Sequence, residues 1–159
     1  MSDDFPTVAE LAAEEEEIQF HGFSNDDAWE LGCALVTAAR ARSLPVAVDV
    51  SRNGHQLFHA SLPGTVPDND TWIARKAAVV QRIGHSSLYV RQKAIENGTT
   101  FEEVHELDPQ QFRAHGGAFP VLVRDVGPVG VAVVSGLPML EDHRLLVEVL
   151  RAQVERQLS

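Results

Sequence analysis

The sequence predicts a mixed α+β domain, a mainly antiparallel five-stranded sheet flanked by helices. Three observations predict it. Apolar side chains alternate along several short runs, they recur at helical spacing along longer ones, and most neighbouring strands are joined by turns of hairpin length. A length of 159 residues, 44% of them apolar, matches one domain with one core.

Thr7 followed by Glu10 spells a capping box for a short helix through Glu17, whose glutamate run reads as a solvated face. Residues 17–23 (EIQFHGF) alternate as a half-buried strand does. Ser24 caps a helix to about Arg42, with Ala28, Leu31, Gly32, Leu35 and Ala39 as its buried stripe. Val46, Val48 and Val50 alternate ahead of Asn53-Gly54, and Leu57 and Phe58 follow, which makes a hairpin. After Pro67, any of Asp68, Asn69 or Asp70 can cap one long helix that runs to Asn97 and closes at Gly98. Gly84 inside that helix costs roughly 1 kcal/mol relative to alanine and implies close packing there. Thr100 with Glu103 is a further capping box, and Asp108-Pro109 opens a short helical turn that ends before His115. The strands AFPVLVRD and VGVAVVSG meet at Val126-Gly127-Pro128, and an amphipathic helix from about Met139 to Gln157 ends the chain. The order is α β α β β α α β β α, with residues 1–16 an acidic helical extension and 17–159 a single domain.

The net charge of −10 is unevenly placed. Residues 1–30 hold ten carboxylates and no Lys or Arg, and the remainder holds 13 acids against 13 bases. Without a basic surface the chain lacks the footprint that phosphate-backbone binding needs, and its acidic arm repels anionic lipid, so neither nucleic acid nor membrane is an expected partner. No run of about 18 apolar residues occurs and the N-terminus lacks a signal-peptide pattern, so a cytoplasmic location is expected. The single cysteine, Cys33, permits no internal disulfide and no cysteine-based zinc site; it reads as a small core residue.

Three segments have unusual composition: Trp72 to Lys76 with Ser86-Ser87, His115 to Pro120, and Ser135 to Pro138 leading to Asp142-His143. Lys76 falls on the apolar helix face beside Val79 and Val80, where it either binds a carboxylate ligand or pairs with an internal acid such as Asp142. Ser86 and Ser87 read as close helix packing, with hydroxyls bonded one turn back. No Gly-x-Ser-x-Gly elbow surrounds them, and no triad partners can be assigned. Gly116-Gly117 permits positive φ and close backbone approach, while His115 offers an imidazole. Backbone N–H groups gather where Ser135-Gly136-Leu137-Pro138 turns into a helix, and Glu141 and Asp142 can satisfy that end. His55 and His59 share a strand face, but no third ligand has a recognisable spacing, so no metal site is assigned; nor is there a phosphate-cradling loop or dinucleotide fingerprint.

Together the stretches NDTWIARKAAVVQRIGHSSLYV, HGGAFPVLV and GPVGVAVVSGLPMLEDHRLLVEVL resemble the UPF branch of the haem-degrading-domain, or GlcG/HbpS-like, superfamily. The resemblance spans essentially the whole chain, Leu31-Gly32 and Leu57-Phe58 included. It implies a profilin-like fold and a symmetric homo-oligomer. The branch motif is matched by Trp72, Arg75, Lys76, Ser86, Ser87, His115, Gly116, Gly117, Phe119, Pro120, Ser135, Gly136, Leu137, Pro138, Asp142 and His143; no haem contacts carry over from relatives.

Three readings stay open. One is a small-ligand module, with haem or a small anion as ligand, in which Arg75 and Lys76 meet carboxylates and His115 or His143 supplies an axial nitrogen. Another is a homo-oligomeric scaffold or protein-interaction factor without chemistry. The third is an enzyme, haem-related, oxidoreductase or hydrolase, built on Ser, His and Asp of the motif. A common site requires the central helix, the twin-glycine bend and the start of the last helix to meet in space.

Overall fold

A computed structural model describes residues 4–159. Four antiparallel strands form one sheet in the order β2-β1-β4-β3, with β1 Ala47–Arg52, β2 His55–Ser61, β3 Ala118–Val123 and β4 Gly127–Ser135. Asn53 (φ 51°) and Gly54 (φ 78°) make the β1–β2 turn, the left-handed pair that a two-residue hairpin needs. Helices α2 (Asn25–Ala41) and α6 (Met139–Leu158) cover one face, burying Leu31, Leu35, Leu146 and Leu150 against Val48, Val50, Phe119 and Val134. Helix α3 (Pro67–Ile83) covers the other, setting Ile73 and Val80 on Ala47, Ala118, Val131 and Val133. Helices α4 (Ser87–Glu96) and α5 (Phe101–His105) extend that layer, and α1 (Val8–Glu17) packs on α4. The stripe expected on α2 is the buried one: Ala28, Leu31, Gly32, Leu35 and Ala39.

Five expectations are corrected. The fifth strand, expected over residues 17–23, is a single parallel bridge between Phe20 and Val123. Phe20 N–H donates to Leu122 C=O (2.7 Å) and Arg124 N–H donates to Phe20 C=O (2.8 Å). Ile18 caps α1 and Ser24 caps α2, so too little chain remains for a ladder, although Ile18 and Phe20 are buried as the alternation required.

The expected single helix breaks at Gly84, whose φ of 84° caps α3; Ser86 then caps α4 by accepting from Tyr89 N–H (3.1 Å). A side chain on Gly84 would meet nothing within 4 Å, so conformation rather than close packing explains this glycine. Helix α3 starts at Pro67 with Val66 as N-cap, and Asn69 reaches back to accept from Val66 N–H (2.8 Å). The glutamate run is not wholly solvated: Glu14 Oε1 lies 2.8 Å from His143 Nε2, and Glu15 Oε1 lies 2.7 Å from His85 Nδ1.

Candidate functional site

The three motif segments do converge. Helix α3, the 115–117 bend and the turn from β4 into α6 enclose an open cleft of about 260 Å³, lined by Asn69, Trp72, Lys76, His115, Ser135 and Asp142 with backbone from Gly116 and Gly136. Leu137 and Met139 add apolar wall.

The floor is an ion pair. Lys76 Nζ, on a residue only 2% exposed, donates to Val134 C=O (2.6 Å), Gly116 C=O (3.2 Å) and Asp142 Oδ2 (3.3 Å). An ammonium has three protons, and all three are used. Asp142 sits in the first turn of α6, accepting from Leu137 N–H at Oδ1 (3.0 Å) and from Gly136 N–H at Oδ2 (3.3 Å). Burial pushes its carboxyl up to about 6, against the pull of the Lys76 charge and these N–H donors. Burial holds Lys76 below its ordinary value, opposed by the Asp142 charge. The twin glycines make room for this floor. A side chain on Gly117 (φ 123°) would strike Lys76 Nζ and Val134 C=O, and one on Gly116 would strike Met139 C=O. Of the two expectations for Lys76, internal pairing is the one realised.

The wall differs. The rings of Trp72 and His115 lie 4.9 Å apart at 36°, and neither imidazole nitrogen has a hydrogen-bond partner among the described residues. Burial holds His115 below its ordinary value, reinforced by the Arg113, Lys76 and Arg91 charges and opposed by Glu102. The imidazole thus favours its neutral form, which presents a lone pair in the lining of the cleft.

The remaining predicted residues serve elsewhere. Ser87 Oγ donates to Ala118 C=O (3.3 Å) and accepts from Ala118 N–H (3.1 Å), pinning α4 to β3. Ser86 caps α4, and its own N–H donates to Glu15 Oε2 (3.1 Å). Neither serine bonds one turn back, because the helix break places both at an N-terminus. His143 is buried under α1, with Nε2 on Glu14 and Nδ1 unpartnered among the described residues. Arg75 lies outside the lining; its Nε donates to Gln110 C=O (3.0 Å), and its guanidinium carbon stands 5.7 Å from the Trp72 ring centre. His59 staples two elements, with Nδ1 2.9 Å from Asp49 and Nε2 3.2 Å from Asp70. Sequence reasoning did not assign Asn69 and Met139 to the site, yet 69, 72 and 76 follow helical spacing and share a face.

A family model described as "Haem degrading protein HbpS-like" matches residues 23–151. A UPF0303 protein of Streptomyces coelicolor is 58% identical over 145 residues, spanning 91% of this chain and 92% of that one. A UPF0303 protein of Edwardsiella ictaluri is 45% identical over 143 residues, spanning 90% and 91%. Among solved structures, the Ybr137w protein superposes with a TM-score of 0.88 at 34% identity, covering 99% of this chain and 92% of that one. PduOC, solved as a haem complex, shares the fold at a TM-score of 0.68 and 18% identity, covering 84% and 95%. No helix among the described residues is long and apolar enough to cross a membrane. With a family match over most of its length and full-length relatives at this identity, the chain belongs to the HbpS-like haem-degrading-protein family, in its UPF0303 group.

Proposed function

We propose that the protein is a small-ligand binding module whose ligand enters the cleft beside Trp72 and meets His115. The observation that carries this reading is the unpartnered, neutral imidazole on an aromatic wall. A motif residue with no structural partner is the one with capacity left for a ligand. Lys76 has no such capacity, since its three donors are already engaged.

Haem is the candidate to which the family points, and PduOC is a relative in fold solved with it. The residues fit it in part. A volume of about 260 Å³ is below the roughly 300–1,000 Å³ that enclose a drug-sized molecule. The cleft therefore takes a small ligand whole or one edge of a larger planar one. His115 is the residue that would ligate the iron, and Trp72 would flank the ring; bound haem would supply iron-centred redox chemistry. His143, covered by α1 and engaged with Glu14, is set aside. Titrating the protein with micromolar haem is expected to give a saturable Soret shift that His115→Ala removes and His143→Ala retains. No shift, or one indifferent to His115→Ala, overturns the haem assignment.

A second reading, a homo-oligomeric scaffold, draws on a different surface. Trp29 is 61% exposed on α2, beside a groove of about 550 Å³ lined by Cys33, Ala34, Ala38, Val149 and Ala152. A cytoplasmic homo-oligomer joined there would lose subunits on Trp29→Glu, as read by light scattering; a monomeric wild type overturns it.

A further inference from the structure

We propose that the cleft takes a small, uncharged aromatic amide, its ring against Trp72 and His115 and its amide group on Ser135 and Asn69. The proposal rests on the binding-module reading and names the class of ligand.

Ser135 is the first argument. Alternate residues of a strand share one face of the sheet, so Val131, Val133 and Ser135 form a row on the side of β4 that α3 covers. The two valines pack there against Ile73 and Val80. Packing alone would continue the row with a third apolar side chain. A hydroxyl stands in its place, on a residue only 4% exposed and in the lining of the cleft. Its cross-strand partner is Ala47, which brings no polar side-chain atom to meet it. The Ser135 hydroxyl makes no hydrogen bond among the described residues, so its capacity to donate and accept is left to the cleft.

Asn69 supplies the complement. Its Oδ1 accepts from Val66 N–H (2.8 Å) at the start of α3, which fixes the plane of the side-chain amide and leaves the Nδ2 protons as the free group in the lining. Nδ2 can only donate, so it takes the carbonyl of a ligand, and the Ser135 hydroxyl is left to accept from the ligand N–H. Charge then decides between an amide and its ionised relatives. The lining holds two charges, Lys76 and Asp142, and they are paired with each other. Every proton of Lys76 is engaged, and Asp142 already accepts from Lys76, Gly136 and Leu137. A charged ligand would give up its water and find no unpaired counter-charge in this wall. Trp72 and His115 offer aromatic surface, Leu137 and Met139 apolar contact, and the volume of about 260 Å³ suits one ring.

Calorimetric titration of the full chain with four probes of one shape tests this: benzamide, the anion benzoate, the cation benzamidinium, and acetophenone, which keeps the carbonyl without the N–H. Benzamide is expected to bind saturably at up to about 10 mM and at least about tenfold more tightly than either ion, with no dependence on added salt. Acetophenone is expected to bind more weakly than benzamide. Ser135→Ala is expected to bring benzamide to the acetophenone level and to leave acetophenone unchanged, a split that a purely structural serine would not produce. Ser135→Val, which completes the valine row, serves if the alanine variant fails to fold, and is expected to bind neither. Benzoate or benzamidinium binding as tightly as benzamide overturns the proposal, and so does benzamide binding that neither Ser135 variant alters or that acetophenone matches. His115-dependent haem binding without benzamide binding defeats this inference alone; absence of both defeats the binding-module reading with it.

Discussion

Lys76 and His115 face the same cleft, and they differ in everything that decides what a polar side chain can do. The ammonium of Lys76 is buried and has an oxygen for each of its protons. The imidazole of His115 is half-buried and has no partner for either nitrogen among the described residues. Shared membership of a motif therefore says little about role. Lys76, with Asp142 and the twin glycines, closes three chain segments on one another, whereas His115 and Trp72 have capacity to spare.

Four substitutions test that division, in falling order of expected effect. Lys76→Met should cost about 3–5 kcal/mol in urea unfolding, because it leaves Asp142 buried without its counter-charge. The loss should depend on pH. Asp142 titrates at about 6 in the folded chain against 3.8 ordinarily. The folded state therefore holds more protons across that window, and stability falls as pH rises through it. Without the Lys76 charge the folded value climbs further, so the deficit of Lys76→Met should widen between about pH 5 and about pH 8. A pH-independent deficit would show that the pair is not what holds the floor.

Gly117→Ala should cost about 3 kcal/mol, combining an unfavourable φ of 123° with a collision against Lys76 Nζ and Val134 C=O. Ser87→Ala should cost about 2 kcal/mol, since it strands the buried N–H of Ala118. Urea midpoints would rank both. His115→Ala should change stability by less than about 0.5 kcal/mol while abolishing the haem Soret shift. If it instead destabilises as much as Ser87→Ala does, the wall is structural too and the contrast collapses.

Legibility followed range along the chain. Signals held within a few residues were read correctly: the Thr7–Glu10 box, the Ser24 cap, the Asn53-Gly54 turn and the stripe on α2. The break at Gly84 was missed because a glycine inside an apolar-periodic run looks the same whether the helix continues or stops; the polar Ser86-Ser87 that follows was the available clue. Residues 17–23 show the converse. Burial of Ile18 and Phe20 produces alternation, but pairing depends on space that the flanking helices had already taken. At the site, the residues of the motif were named, but their division into internal partners and free groups was not. That division is set by contacts such as Lys76 with Val134 and His143 with Glu14, which join positions far apart in the chain.

The sheet order has a consequence for how the chain is made. The two central strands, β1 and β4, pair along their length, yet β4 follows β1 by about 80 positions. At roughly 5–20 residues per second on the ribosome, the Ala47–Val50 edge, buried in the finished protein, waits on the order of ten seconds for its neighbour. A bare apolar edge is a template for the wrong strand, so this delay is the window in which nascent chains would aggregate or need a chaperone.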